Sequence, residues 1–424
     1  MRVVHLKLAN VRAIEAAEFH FGPGFNLVAG VNGVGKTTVL DALAVCLSAI
    51  VGRAGASRWG AMSFGADDIR KDVGALQLEC GFEIAGEIET FMLHRPRESV
   101  VVPKGMDQFD RGETALTANT TPTIEDFFPG MPVEGEARPS ESQPLAVLFS
   151  TNRAVPSERT PKKSVATGGV NAAYPDALSN RRELRLSDFA AWMRVQKALS
   201  SERPAVMRVL IAFEAAVRRF LPGYRNFRVG DVGKRGSSLL IDRGDVTLPI
   251  KSLSDGERGV LALVLDLTRR LAQANPEMDD PAAEAEAVVL IDEIELHLHP
   301  RWQRKIVENL TETFPNCQFI ATTHSPQVIG EVEHNRIHMI VDGKVYPLNH
   351  SFGVDSSRLL EEVMDTDSRT VSIKKLLSNI SEAITDDRYD EAHKLLDDLS
   401  SQLGDTDPEV TRIQTLLDFM KDDG

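Results

Sequence analysis

The run GVNGVGKTT, residues 30–38, constrains this chain more than any other stretch. Gly30, Gly35, Lys36 and Thr37 stand at the spacing Gly-x-x-x-x-Gly-Lys-Thr, with Asn32 and Gly33 inside the loop and Thr38 just after it. FNLVAG before the run reads as a buried strand, and TTVLDALAVCLSAI after it carries apolar residues on the 3.6 period of a helix. Glycines in such a loop let successive backbone N–H groups curl around phosphates, and the helix N-terminus adds its positive dipole end. Lys36 would then reach the β and γ phosphates while the Thr37 hydroxyl ligates Mg²⁺. A chance glycine-rich turn would not come with both flanks, so ATP with Mg²⁺ is the expected ligand.

The chain of 424 residues has room for two or three domains, and 42% hydrophobic residues suffice for a core. A net charge of −14 argues against non-specific coating of nucleic acid and leaves only a local, conditional contact with it. Cys46, Cys80 and Cys317 lack metal-ligand spacing and read as reduced thiols. With no signal peptide and no apolar run of membrane-spanning length, the expectation is a cytoplasmic protein with no membrane partner.

Two motifs downstream match the phosphate loop. AVVLIDEIELHLHP, residues 287–300, is a buried strand running into acids, which is the Walker B pattern. It puts Asp292 where it can hold Mg²⁺ through water and Glu293 where it can act as general base on the attacking water. His297 and His299 lack a third ligand at a useful spacing, which argues against zinc. CQFIATTHSPQVIGEV is a strand, a histidine and a new helix, so His324 at the strand's carboxyl end lies where a γ-phosphate would be sensed. Upstream, LSDGERG places Ser254 and Gly256 at a helix N-terminus, either a second anion site or a plain serine cap. This stretch resembles the ABC signature LSGGQ, with Asp255 at its first glycine and Glu257 at its glutamine.

Around these motifs the chain divides into five parts. Residues 1–95 form a first lobe that opens with a hairpin turning at Asn10, Val11 and Arg12, and two later strands make it a mixed sheet around one helix. Residues 96–186 are Pro-, Gly-, Ser- and Thr-rich insertion and loop, interrupted by the strand LAVLFSTNR, whose Asn152 and Arg153 are candidate nucleotide sensors. Arg181, Arg182 and Arg185 could touch a phosphate backbone or form a solvated loop face. Residues 187–222 are two short amphipathic helices broken at Pro204, too short for a coiled-coil arm. Residues 223–350 carry two strand-like runs, the signature, Walker B and the switch histidine. Residues 351–424 are a helical extension, with Gly404 as a stop and Asp407–Pro408 as a start.

These four motifs in this order resemble the ABC-type ATPase heads of the SMC, Rad50 and RecF kind. The α/β fold implied is a P-loop head with a short helical arm insertion and a small helical extension. The resemblance also implies that Arg12, the basic residue after the first strand, lies near the nucleotide; a solvated turn arginine is the alternative. The whole order is similar to the stand-alone OLD-like and RecF-like bacterial ATPases, and the tail to the ATPase subunit of Septu anti-phage systems, which also occurs beside retrons. That group implies head-to-head dimers or larger homo-oligomers with ATP at the interface and a separately encoded HNH nuclease, since no nuclease centre is recognisable here. A DNA repair ATPase of the RecF or SMC type is the alternative, and a transporter motor domain a third reading.

Overall fold

In the computed structural model, which describes all residues except 52–61, 85, 98–144, 155–169, 181, 183, 185, 200–203, 232–236, 349, 355–368 and 423–424, two compact units meet in sequence at Asp355 and Ser356. The first is built on the strand before the phosphate loop. That strand pairs on both sides and is buried at every residue, which is what a continuous apolar run means inside a parallel sheet.

Thirteen strands are described in the first unit: β1 (Arg2–Val11), β2 (Ile14–His20), β3 (Phe25–Ala29), β4 (Ala75–Ile84), β5 (Glu87–Pro96), β6 (Leu145–Phe149), β7 (Tyr224–Asp231), β8 (Ser237–Arg243), β9 (Val246–Pro249), β10 (Ala287–Ile291), β11 (Cys317–Thr323), β12 (Ile337–Val341) and β13 (Lys344–Pro347). One sheet has the order β13-β12-β3-β11-β10-β6, with every pair parallel except the closing hairpin β12–β13. β11 thus lies between the phosphate-loop strand β3 and the Walker B strand β10. The carboxyl ends of these three strands share one edge, where ligands bind in open α/β sheets.

A second sheet, β2-β1-β4-β5, is antiparallel throughout. This corrects the expectation of one mixed sheet in the first lobe, because β3 leaves its sequence neighbours and joins the parallel sheet. The helix after the loop, α1 (Lys36–Val51), contacts strands of both sheets, so it is enclosed nearly all round. Leu43 and Leu47 are fully buried on it, and truncating either to Ala costs about 2–5 kcal/mol by loss of burial and packing.

The third sheet, β7-β8-β9, holds three strands where two were expected. The extra one is the short VTLP after the turn at Gly244, whose φ of +60° suits glycine. The two mid-chain helices, α2 (Leu186–Leu199) and α3 (Pro204–Phe220), turn their apolar stripes onto each other and this sheet. Phe189 and Phe213 stack with ring centroids 4.7 Å apart, and Trp192 and Phe227 close the cluster. The helices are therefore spent on the unit's own core. Next come α4 (Asp255–Ala274) and α5 (Ile306–Thr313).

Arg182 faces inward, against both sequence readings of it. It is paired with the largely enclosed Asp266 of α4, donates to the Leu148 carbonyl at 3.0 Å and lies over the Phe149 ring. Burial raises the Asp266 carboxyl, but Arg182, Arg270 and Arg269 together hold it well below the usual carboxylate range. Arg181 and Arg185 lie outside the described residues, as does most of the expected insertion, residues 98–144 and 155–169.

The second unit consists of α6 (Val371–Thr385), α7 (Tyr389–Leu403) and α8 (Pro408–Asp422) in its described part. Ile380, Ala392, Leu396, Leu399, Ile413 and Leu417 build its core. Gly404 ends α7 at φ +88°, and the Asp407 carboxylate accepts the Glu409 N–H at 2.9 Å as α8 begins at Pro408.

Candidate functional site

The phosphate loop starts from Gly30, where β3 ends. Gly30, Gly33 and Gly35 have φ of +153°, +85° and +108°, a backbone that L side chains rarely adopt. A Cβ at Gly30 would also lie 2.6 Å from the Ile340 carbonyl oxygen, so two reasons fix glycine there. Lys36 at the start of α1 folds back over the loop, its Nζ donating to the carbonyls of Gly30 at 2.8 Å and Val31 at 2.9 Å. Burial lowers its pKa, against the fields of Glu295, Glu293 and Asp292. A partly desolvated ammonium in a glycine loop at a helix N-terminus suits a polyphosphate, and these residues fit that ligand.

Thr37 and Asp292 come together across the end of β11. The Thr37 hydroxyl donates to the Asp292 carboxylate at 3.1 and 3.3 Å, although the two are far apart in sequence. Oxygen donors of this kind fit Mg²⁺, which would take the place of that hydrogen bond. Thr322 on β11 completes the arrangement, donating to Asp292 Oδ1 at 2.6 Å and accepting the Glu293 N–H at 2.7 Å. A cavity of about 290 Å³ opens beside the pair, lined by Thr37, Asp41, Ser150, Thr151, Asn152 and Asp292 among others.

Glu293 has φ +47° and His297 φ +61°, two left-handed residues in the turn after β10. Each costs about 1–2 kcal/mol for an L residue, so the surroundings must hold this turn in place. Arg153 does part of that work. Its guanidinium is buried and donates to the main-chain carbonyls of Asp292 and, at 2.6 Å, of Glu293. Asn152, its neighbour, lines the cavity and donates to the Asn180 carbonyl at 2.9 Å.

Glu295 holds the switch histidine. Its buried carboxylate accepts the His324 backbone N–H at 2.7 Å and the Thr323 hydroxyl at 2.8 Å. His324 Nδ1 lies 3.0 Å from Glu295 Oε1, an ion-pair distance without hydrogen-bond alignment.

Ser254 caps α4. Its Oγ accepts the Glu257 N–H at 3.3 Å, while the Glu257 carboxylate accepts from the Ser254 N–H and hydroxyl, both at 2.9 Å. That is a complete capping box, so the serine-cap reading describes the geometry, and α4 still offers a helix N-terminus to an anion. A Cβ at Gly256 would run into the His297 carbonyl oxygen, so this glycine lets α4 lie close against the turn after Walker B. Arg12 pairs with Asp41 of α1 at 2.7 Å and Asp68 at 2.8 Å, over the ring of Phe64. It reaches the cavity only through Asp41. His299 accepts the Arg301 N–H at 3.3 Å at a short helical turn, and no group of three metal-binding side chains occurs among the described residues.

The structure thus gathers Lys36, Thr37, Asp292, Glu293 and His324 around the sheet edge and sets Ser254 and Gly256 on α4 beyond the turn. Sequence reasoning missed Glu295, Thr322 and Asp41, and did not foresee that Arg153 turns inward. Their signal was weak: a third acid after two obvious ones, a threonine in a buried strand, an aspartate on a buried helix.

Two protein-family models match the chain, one described as "AAA domain, putative AbiEii toxin, Type IV TA system" over residues 152–330 and one as "AAA domain" over residues 5–93. "Retron Ec83 probable ATPase" of Escherichia coli is 33% identical over 240 residues, which is 54% of this chain and 44% of that protein. The match therefore spans less than half the length of that relative. "Septu protein PtuA" of Bacillus thuringiensis is 21% identical over 86% of this chain and 84% of that protein. Among solved structures, an Smc head bound to the C-winged helix domain of ScpA has 16% identity and a TM-score of 0.45, covering 82% of this chain and 98% of the other. No helix among the described residues is long and apolar enough to cross a membrane. The chain thus has a mixed α/β fold with a P-loop core and is similar in sequence to AAA-domain proteins and to the retron and Septu ATPases.

Proposed function

We propose that this chain binds ATP at the Lys36 loop, hydrolyses it slowly, and closes as a head-to-head dimer with Ser254 of one copy on the nucleotide of the other. The observation that carries this is the meeting of the Thr37 hydroxyl with the Asp292 carboxylate, beside a buried Lys36 in a glycine loop. Thr37 and Asp292 would hold Mg²⁺, which supplies charge neutralisation for the β and γ phosphates. Lys36 would exchange its two carbonyls for phosphate oxygens. Glu293 would orient and deprotonate the attacking water, and His324 would contact the terminal phosphate. Ser254 would give up its hydrogen bond to Glu257 to do so, which fits slow turnover.

Two finer readings share this head. A DNA repair or recombination ATPase of the RecF or SMC type is the better supported, because an ATPase head is what the site and the family relationship speak for and no further component is needed. The second, control of a separately encoded HNH nuclease in anti-phage defence, draws support from the Septu and retron names of the relatives.

Lys36→Ala tests the site, since it removes the buried charge while leaving the loop glycines in place. Equilibrium binding of a fluorescent ATP analogue should be lost in the folded variant; unchanged affinity would overturn the site. Stimulation of ATP turnover by gapped or single-stranded DNA favours the repair reading. Co-purification with a nuclease encoded beside the gene, with no response to DNA alone, favours the other.

A further inference from the structure

Arg153 is a cation almost entirely removed from water, 6% exposed, and its hydrogen bonds among the described residues go to main-chain carbonyls. Nη1 donates to Phe149 at 3.3 Å, Ser150 at 3.0 Å and Asp292, while Nη2 donates to Glu293 at 2.6 Å. Burial lowers the guanidinium's pKa to about 10, against the fields of Asp292, Glu295 and Glu293. An apolar side chain could fill this space without the desolvation cost of a buried charge, so joining two strands does not by itself account for an arginine. What a guanidinium adds is a rigid planar fork that spans two consecutive carbonyls.

The two carbonyls it spans belong to the residues that hold Mg²⁺ and orient water in the reading above. Glu293 is left-handed, so its side-chain direction depends on how its peptide groups are fixed. Thr322 takes the Glu293 N–H and Arg153 takes its carbonyl, which clamps the residue from both sides. The main chain of Arg153 also abuts the first turns of α4, where a Cβ added at Gly259 would stand 3.9 Å from the Arg153 carbonyl oxygen.

We infer that Arg153 is a positioning residue for hydrolysis: its guanidinium clamps the Asp292–Glu293 main chain so that Glu293 meets the attacking water, and its backbone passes the position of the signature helix α4 to that clamp. This rests on the assignment of Glu293 as general base. The step it serves is attack of water on the γ-phosphorus, the proton going to Glu293 as the bond from that phosphorus to the β–γ bridging oxygen breaks, leaving ADP and inorganic phosphate.

The test compares Arg153→Met, Arg153→Lys, Glu293→Gln and the double variants in single-turnover ATP hydrolysis, with nucleotide affinity and melting temperature measured on each. Arg153→Met should slow the chemical step on the order of 10²-fold with ATP affinity unchanged, as expected when a reacting group is displaced by about an ångström. Arg153→Lys should recover part of the rate, since an ammonium can hold one carbonyl but not the fork. In the Glu293→Gln background, adding Arg153→Met should cost nothing further, because the clamp then holds no base. Losses that multiply in the double variant, or a folded Arg153→Met that hydrolyses at the normal rate, would overturn the inference. If methionine leaves the chain unfolded, the lysine variant and its double make the same comparison. A wild-type chain that does not hydrolyse ATP, or a Glu293→Gln chain that does so normally, would instead remove the underlying reading.

Discussion

His338 on β12 stands edge-on to the rings of Phe19 and Phe21, at centroid distances of 5.7 and 5.3 Å. Burial and the field of His20 push its pKa down to about 4 from an ordinary 6.5. Because the folded value lies below the unfolded one, the unfolded chain binds more protons as pH falls. The contribution is full above about pH 6.5 and is lost between there and pH 4, amounting to about 2–3 kcal/mol. Denaturant unfolding at pH 4.5 and 7.5 should show a smaller stability difference for His338→Phe than for the parent; an equal difference would mean that the ring is solvated and unperturbed. The same scale separates what was legible from what was not. Lys36, Thr37, Asp292 and His324 could be read because each sits at a fixed offset from a strand end, and a strand end is visible in apolar patterning. Glu295, Thr322 and Arg153 act through partners distant in sequence, and no local pattern shows which carbonyl a buried side chain will find.

At the scale of elements, the signature helix and the Walker B turn approach closely at Gly256. Gly256 lets the first turn of α4 lie against the His297–Leu298 main chain, and His297 is itself left-handed. Gly256→Ala should force the helix away from the turn, because the obstacle is backbone and cannot rotate aside. The expected result is a folded chain with ATP binding intact and turnover reduced about tenfold or more, the scale of a small misalignment in a catalytic site. An alanine variant with normal turnover would show that α4 and the turn tolerate separation. Helices α2 and α3 were legible from their period and β1 and β2 from alternation, while α4 showed as an apolar helix after the signature and β4 and β5 as strand-like runs. Sheet membership was not, because pairing is set by tertiary packing: β3 follows β2 closely yet joins β11 and β12. The short β9 carries too few residues to show a period, and Arg182 looked solvated because Asp266, which takes it in, lies on a distant helix.

For the whole molecule, the question is whether nucleotide controls assembly. Replacing Glu293 by Gln keeps size and most hydrogen-bonding capacity but removes the carboxylate that would accept a proton from water, so the chemical step should slow by about 10²-fold or more. Binding should survive, since Lys36, Thr37 and Asp292 are untouched and Thr322 and Arg153 hold Glu293 by its main chain. If ATP bridges the Lys36 loop of one copy and the Ser254 helix of another, a chain that binds without hydrolysing should collect in the bridged form. Light scattering of Glu293→Gln in ATP and Mg²⁺ should then report a dimer or larger assembly, while ADP leaves the smaller species. Adding Ser254→Arg to the same chain should abolish the ATP-dependent increase, because the added bulk and the lost cap fall on the surface that would meet the partner's phosphate. An inactive Glu293→Gln chain with the same mass in ATP and ADP would leave the base in place and remove nucleotide from the control of assembly. A Ser254→Arg chain that still assembles in ATP would move the interface away from α4.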